Sequence, residues 1–195
     1  MVEKCTVPAD YDGDGKTDVA VFRPTTNEWL MALSSTGGLI NIAWGASGDV
    51  AVPGDYDGDH KADIAVYTPA TGVWSILTSS TTFASSMTLV LGASTDIPVP
   101  ADYDGDAATD VAVYRPSSGT WYILQSQTGN TEIVVSTLGR GADVPVPGDY
   151  DGDGRADVAI YQTPTGTWRI IKSSDGSRMT GRFGTSSDVP LPRHP

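Results

Sequence analysis

Short runs of alternating hydrophobic and polar residues recur along the whole chain, separated by glycine, proline, serine and threonine. A first set of runs occupies residues 18–22, 63–67, 110–114 and 157–161. A second set opens at Trp29, Trp74, Trp121 and Trp168, and a third includes residues 40–44, 88–91 and 132–138. The two-residue period, the β-branched and aromatic residues and the intervening turn residues predict short β-strands throughout.

The runs follow one another in a fixed order, so the chain consists of repeats. Four segments share the motif Val-Pro-(Ala/Gly)-Asp-Tyr-Asp-Gly-Asp, beginning at Val7, Val52, Val99 and Val146. Their first aspartates lie 45, 47 and 47 residues apart. About four strands in each repeat match the size of one propeller blade. Stacked neighbours would bury the sheet faces that a single blade leaves exposed.

We therefore predict an all-β fold, a β-propeller built from four tandem four-stranded blades of about 47 residues that carry calcium loops. The blades would span approximately residues 5–48, 49–95, 96–142 and 143–187 of one repeat domain, 1–195. A parallel β-helix is the main alternative, but its coils are shorter and the prolines would interrupt its ladders. A β-sandwich is also possible, although it would not require a repeat.

Residues 188–195 restart the repeat but stop before its aspartate-rich loop. This additional strand would either close a four-bladed ring by pairing across the seam or mark a boundary within a longer array. An unpaired edge strand also invites self-association with another copy of the chain.

The acidic residues concentrate in the repeated motifs. Of 24 Asp and Glu residues, 16 are aspartates of four nine-residue loops, and the formal net charge is −12. One divalent cation in each loop would reduce this charge to −4, an ordinary value for a folded domain. The acidic balance argues against a nucleic-acid partner. No apolar run is long enough for a transmembrane helix, so membrane insertion is not expected.

The first loop reads Asp-Tyr-Asp-Gly-Asp-Gly-Lys-Thr-Asp, with carboxylates at its first, third, fifth and ninth positions. Ca²⁺ takes about six to eight oxygen ligands in flexible geometry, and alternate side chains of a tightly curled loop can converge on one ion. The ninth carboxylate and the backbone carbonyl of the seventh residue can add to them. The predicted ligating aspartates are Asp10, Asp12, Asp14, Asp18, Asp55, Asp57, Asp59, Asp63, Asp102, Asp104, Asp106, Asp110, Asp149, Asp151, Asp153 and Asp157. The predicted carbonyl ligands belong to Lys16, Lys61, Ala108 and Arg155.

Calcium is favoured over other metals because no cysteine or histidine joins the ligand set, as zinc or copper would require. Magnesium demands stricter octahedral geometry. The simplest alternative is that the Asp-Gly segments are only turns, but four copies with a ninth aspartate favour up to four calcium ions per chain. The sixth position is Gly15 or Gly154 in two loops but His60 and Ala107 in the others. Because a positive φ favours glycine, we expect the second and third loops to bind more weakly or to be more open.

The pattern Asp-x-Asp-Gly-Asp-Gly-x-x-Asp, followed by an apolar strand, resembles the FG-GAP/VCBS repeats of integrin α-subunit propellers and of many bacterial exported proteins. The closing Phe183-Gly184 is similar to the Phe-Gly of that family, whereas Trp44, Leu91 and Leu138 stand at the phenylalanine position in the other repeats. The resemblance implies that each loop joins the first and second strands of a blade. It also implies that the loop aspartates bind calcium and that the metal is mainly structural. Propellers of this family usually have more than four blades.

Three functions follow from these observations. The first is a calcium-binding structural and interaction module, with a protein or glycan ligand, in an extracellular or cell-surface protein. This location is expected because such loops commonly need the calcium concentration found outside cells. The first residues contain no signal peptide, which would be removed or lie outside this chain.

The second function is a calcium-dependent lectin with sites between blades. Its candidate sugar-stacking residues are Trp29, Trp74, Trp121 and Trp168, and the alternative is that these rings pack between blades. The third function, an enzyme on a propeller scaffold, is disfavoured. The chain contains no nucleophile, phosphate-binding or other catalytic motif, and four similar loops are unlike a single catalytic site.

Overall fold

The alternating runs form β-strands in the computed structural model, which describes residues 9–135 and 137–191. The strands are β1 (Val19–Arg23), β2 (Glu28–Ala32), β3 (Leu39–Ala43), β4 (Val50–Ala51), β5 (Ile64–Thr68), β6 (Val73–Leu77), β7 (Ser86–Val90), β8 (Ile97–Pro98), β9 (Val111–Arg115), β10 (Thr120–Gln125), β11 (Thr131–Val135), β12 (Val144–Pro145), β13 (Val158–Gln162), β14 (Thr167–Ile171) and β15 (Arg178–Arg182). Two short 3₁₀ helices cover Ser79–Thr81 and Ser126–Thr128. Within the described ranges, no helix has the length and apolar character needed to cross a membrane.

The strands form four antiparallel sheets, each from one repeat. The first sheet has the order β1-β2-β3, and the second has β4-β5-β6-β7. The third sheet has β8-β9-β10-β11, and the fourth has β12-β13-β14-β15. The all-β prediction and the predicted four sheets are therefore confirmed. The first sheet has three strands among the described residues, which begin at residue 9.

The predicted additional strand at residues 188–195 remains a prediction, and its described part, residues 188–191, has no strand assignment. Its counterparts β4, β8 and β12 each pair with the next strand of their own sheet. Residues 192–195 lie outside the described residues, as do the opening residues of the first motif, Val7 and Pro8.

Alternate side chains point to the two opposite faces of each sheet. We define the leading face of the first sheet by Val19, Val21, Leu30 and Leu39, which the strand register places on one side. The trailing face lies on the other side and contains Trp29 and Met31. Residues at equivalent repeat positions define the leading and trailing faces of the other sheets.

The described residues divide into two compact units. Residues 9–94 with 107–109 contain the first two sheets, and residues 95–106 with 110–191 contain the last two. In the first unit, Trp29 and Met31 from the trailing face of the first sheet share a core cluster with Ile64 and Val66 from the leading face of the second. This packing buries large apolar side chains on both sheets, each contributing about 1.5–3 kcal/mol relative to exposure.

The second unit repeats the same packing. Trp121 and Ile123 from the trailing face of the third sheet share a cluster with Val158 and Ile160 from the leading face of the fourth. In each repeat an aromatic ring on the preceding strand also contacts the tryptophan, with centroids between 5.0 and 5.2 Å apart. The recurring aromatic and valine positions of the sequence are therefore core positions in both units.

Candidate metal centres

In the second, third and fourth sheets the aspartate-rich loop joins the first and second strands, and in all four repeats the two ends of the loop are held together by the backbone. Isolated β-bridges pair Gly54 with Asp63, Ala101 with Asp110, and Gly148 with Asp157. In the first loop, the Asp18 N–H donates to the carbonyl oxygen of Ala9 at 2.8 Å. The ninth aspartate is thus anchored where the loop closes and the next strand begins.

The first aspartate organises the interior of the loop. The Asp10 carboxylate accepts hydrogen bonds from the Gly13 N–H at 2.6 Å and the Gly15 N–H at 2.8 Å. Asp149 makes the equivalent bonds to Gly152 at 2.6 Å and Gly154 at 3.0 Å. An aspartate that binds nearby backbone N–H groups stabilises a tight turn, so the loop curls around this carboxylate.

The sixth position has the left-handed backbone conformation in all four loops. The φ angles are 85° at Gly15, 67° at His60, 71° at Ala107 and 86° at Gly154. The expectation that this position needs a positive φ is therefore confirmed. His60 and Ala107 hold a conformation that costs a residue with a β-carbon roughly 1–2 kcal/mol.

Three of the four predicted carboxylates converge in every loop. One oxygen atom from each of the first, third and ninth aspartates lies within 4.8 Å of the others. The four clusters are Asp10, Asp12 and Asp18; Asp55, Asp57 and Asp63; Asp102, Asp104 and Asp110; and Asp149, Asp151 and Asp157. Among the described residues these are the clusters that could hold a metal ion, and all their donors are carboxylate oxygens.

The fifth aspartates lie outside these clusters and make other contacts. Asp14 accepts a hydrogen bond from the Lys16 N–H at 2.9 Å, and its carboxylate forms an ion pair with the Lys16 ammonium group at 3.0 Å. The fifth aspartates Asp59 and Asp153 likewise accept from the N–H groups of the seventh residues. Ligation by the fifth aspartate and by the seventh carbonyl therefore remains a prediction.

A pair of residues after the tryptophan-containing strand, which the sequence analysis did not single out, holds the carboxylates in place. The Ser173 N–H donates to Asp157 at 2.7 Å, and the Ser173 hydroxyl donates to Asp153 at 2.8 Å. The Ser174 hydroxyl donates to Asp151 at 2.5 Å. The corresponding pairs are Ser34 and Ser35, Ser79 and Ser80, and Ser126 and Gln127. Their constant spacing from the loops is a sequence signal that could have revealed them.

Consecutive loops within a unit are joined through the backbone. The Ala62 N–H, in the second loop, donates to the carbonyl oxygen of Asp10 at 2.7 Å. In the other unit, the Ala156 N–H donates to the carbonyl oxygen of Asp102 at 2.6 Å. The eighth residue of one loop therefore contacts the first aspartate of the loop before it.

Burial disfavours the ionised form of the ninth aspartate in the second and third loops. Desolvation raises the pKa of Asp63 and of Asp110 to about 6, against the lowering effect of their backbone hydrogen bonds. In the more exposed first loop, the Ser35 hydroxyl lowers the pKa of Asp12, and the hydrogen bond from Lys16 lowers that of Asp14. A bound cation would offset the cost of desolvating the ionised carboxylates of Asp63 and Asp110.

The donor set fits a hard divalent cation. The clusters offer oxygen ligands alone, which suits calcium better than zinc or copper. One carboxylate oxygen, Oδ1 of Asp151, is buried and has no hydrogen-bond partner among the described residues. A buried oxygen without a partner is costly, and a metal ion would satisfy it.

The tryptophans considered as sugar-stacking residues lie mostly in the core. Trp29, Trp74 and Trp121 are buried, and their indole N–H groups donate to backbone carbonyls of the neighbouring segment. Trp168 is only partly buried. A buried ring offers no stacking surface, which favours the packing interpretation for the first three.

Comparison with known proteins gives one family and one related fold. The family model described as FG-GAP-like repeat matches residues 10–66 and 102–160, more than half of the chain and all four loops. No curated protein matches the chain closely enough to count as a relative. A solved structure titled "Streptogramin B lyase structure", a β-propeller-type protein, is similar with a TM-score of 0.55 and 9% identity. The match covers 85% of this chain but 51% of that structure, so it supports the fold alone.

Proposed function

Because the chain belongs to the FG-GAP-like repeat family, we propose that it is a calcium-binding β-propeller repeat module with a structural and protein-interaction role. The proposal includes four blades and a place in an exported or cell-surface protein, as is typical of the family. The family is generally non-enzymatic, which supports a binding role over a catalytic one.

The convergence of three carboxylates in each of four loops supports calcium binding most directly. The first, third and ninth aspartates would hold the ion, for example Asp149, Asp151 and Asp157. Calcium supplies charge neutralisation at these carboxylates. Magnesium is the weaker candidate because it demands near-ideal octahedral geometry and is usually bound through one or two carboxylates, whereas each loop brings three together.

The protein's own groups explain how such a site would stiffen the module. The Asp157 carboxylate accepts from the Tyr150 N–H at 2.9 Å and from the Ser173 N–H at 2.7 Å. It therefore connects the start of the loop with the turn after β14. Fixing this carboxylate would fix both segments and present a rigid surface of loops to a partner protein.

Calcium stoichiometry and thermal stability test this proposal. We expect up to four ions per chain by metal analysis after dialysis, with the second and third loops filling last. A site saturated about 100-fold above its Kd contributes about 2.7 kcal/mol, so a chelator should lower Tm by roughly 5–10 °C for each such site. No bound calcium and an unchanged Tm would overturn the proposal.

The variant Asp151→Asn sharpens this test. It removes a charge while leaving an oxygen that can accept from Ser174, so the fold should persist in chelator and one bound ion should be lost. Asp175→Asn is the matched control, because Asp175 lies in an exposed turn and bonds only locally to Ser177. Equal calcium binding by the two variants would contradict the assignment of the fourth loop.

The lectin alternative depends on aromatic surface, and Trp168 is the partly exposed member of the four tryptophans. Titration with mono- and oligosaccharides, followed by tryptophan fluorescence, tests it. Saturable quenching that Trp168→Phe abolishes would support sugar binding, and an unchanged spectrum would leave the protein-interaction role.

A further inference from the structure

The leading face of the first sheet is an exposed apolar surface. Val19 is 73% exposed, Val21 57% and Leu39 84%. Their sheet equivalents in the other repeats are core residues: Ile64 and Val66 are fully buried in the second sheet, and Val158 and Ile160 are buried in the fourth. The sequence therefore places core-type residues on a face that the described chain leaves uncovered.

The two units show what covers this face elsewhere. Ile64 and Val66 pack against Trp29 and Met31, on the trailing face of the preceding sheet. Val158 and Ile160 pack in the same way with Trp121 and Ile123. In both units, a leading face thus packs against a trailing face that presents tryptophan together with methionine or isoleucine.

The trailing face of the fourth sheet is partly exposed: Tyr161 and Ile170 are buried there, but the described residues of their core cluster all belong to the fourth repeat. Trp168 is partly exposed there, whereas the other three repeat tryptophans are buried. Met179 is 41% exposed, and Phe183, at the position of the largely packed Trp44, is 81% exposed. Contiguous apolar exposure of this kind marks an association surface.

Neither face would bury an unpaired charge on association. On the leading face, Arg23 and Glu28 form an ion pair at 2.6 Å at one end of the apolar residues. The trailing-face residues Trp168, Met179 and Phe183 carry no charge. The desolvation penalty that often opposes association is therefore small on both sides.

We propose that the leading face of the first sheet binds the trailing face of the fourth sheet of a second copy of this chain. The contact would continue the packing already present between the first and second sheets and between the third and fourth. The contact is head-to-tail, so a dimer still has one free leading face on one copy and one free trailing face on the other. Further copies can therefore add until a ring closes or an open array forms. The inference rests on the packing of the sheets and not on calcium.

Two charged variants test the proposal by complementation. Val21→Lys blocks the leading face and leaves the trailing face intact, and Met179→Lys does the opposite. In sedimentation experiments at increasing concentration, the unmodified chain should form species of at least two copies, and each variant alone should be monomeric. An equimolar mixture should form a one-to-one dimer, because one intact face of each kind remains.

Ser47→Lys is the control, since Ser47 lies in an exposed turn outside the strands that form the two faces, and it should assemble like the unmodified chain. Circular dichroism checks that each variant is folded, and Leu39→Lys replaces Val21→Lys if that variant unfolds. A monomeric unmodified chain, assembly of Val21→Lys alone, or no dimer in the mixture would each overturn the proposal. Association of two leading faces would appear as assembly of Met179→Lys alone and would also overturn it.

Discussion

The ninth aspartate of each loop connects more of its repeat than the motif suggests. Asp63 accepts hydrogen bonds from the Tyr56 N–H at 2.8 Å and from the Ser79 N–H at 2.7 Å, and the Ser79 hydroxyl donates to the same carboxylate. Its backbone closes the loop through the bridge to Gly54. One side chain thus links the loop, the following strand and a turn 16 residues away, which explains its complete burial.

Replacement of the sixth residues by glycine should stabilise the second and third loops. His60→Gly and Ala107→Gly relieve left-handed backbone strain at φ 67° and 71°. Allowing for the entropy of glycine, we expect a gain of about 0.5–1 kcal/mol in each variant, and tighter calcium binding at that loop. Chemical denaturation in chelator measures the stability.

Gly15→Ala and Gly154→Ala are the reverse experiment, because both glycines have a positive φ and open space where a β-carbon would lie. A loss of similar size is expected. If His60→Gly and Ala107→Gly instead lose stability, the left-handed conformation is not a source of strain in these loops.

A buried phenol provides a second test at this scale. The Tyr114 hydroxyl is buried without a hydrogen-bond partner among the described residues, whereas the Tyr67 hydroxyl donates to the Ala93 carbonyl at 3.1 Å. Tyr114→Phe should therefore be neutral or gain roughly 1 kcal/mol, and Tyr67→Phe should lose about 1 kcal/mol. Urea denaturation at pH 7 compares them.

The same phenol predicts an alkaline effect. Burial, reinforced by the charge of Asp143, raises the pKa of Tyr114 to about 12, above the ordinary value of 10. The contribution of the neutral Tyr114 to the free energy of unfolding is complete below pH 10. It is lost as the pH rises through 12, because the phenol ionises more easily in the unfolded chain. Tyr114→Phe should lose less stability than the parent chain over this interval. An identical pH profile would contradict the burial of this hydroxyl.

The turn before the tryptophan-containing strand differs between the first repeat and the other three. In the third sheet, the Leu138 N–H donates to the Gly119 carbonyl at 2.8 Å, which brings two backbone segments together. Gly72, Gly119 and Gly166 occupy this turn position, whereas the first repeat has Asn27 with φ 56°. The Asn27 side-chain oxygen is buried without a hydrogen-bond partner in the described chain, so the first sheet makes a poorer turn.

We expect Gly119→Ala to be strongly destabilising. A β-carbon there would overlap the carbonyl oxygen of Gly139, and the φ of Gly119 is 70°. Overpacking and left-handed strain together should cost about 2–4 kcal/mol. Gly37→Ala is the matched control, with the same φ of 70° but no atom near its β-carbon, and should lose only about 1 kcal/mol. Equal losses in thermal unfolding would show that the close contact is unimportant.

At the scale of the whole molecule, the sequence predicts what repeats and misses what differs. Alternation and the tryptophans place most strands to within one or two residues, because every sheet uses the same two-residue period, although the run predicted at 132–138 extends three residues beyond β11. The aspartates of the clusters follow from their spacing in the motif. The serine pairs were missed because serine is common in any turn and its partner aspartate lies 16–23 residues away, and only their constant spacing from the four loops distinguishes them. The exposure of Val19 and Val21 could not be predicted either, because their sequence is typical of a buried strand.

The backbone hydrogen bonds between consecutive loops couple the ordering of one loop to the ordering of its neighbour. Because the Asp10 carbonyl accepts from Ala62, and the Asp102 carbonyl from Ala156, a loop that becomes ordered presents its neighbour with a partner already in place. Part of the entropy that the neighbour must lose is then lost in advance, and the coupling acts equally in both directions. Each pair of loops behaves as a short one-dimensional chain, in which the state of one link biases the next. A strong loop such as the first, with Gly15, can thereby support a weaker one such as the second, with His60.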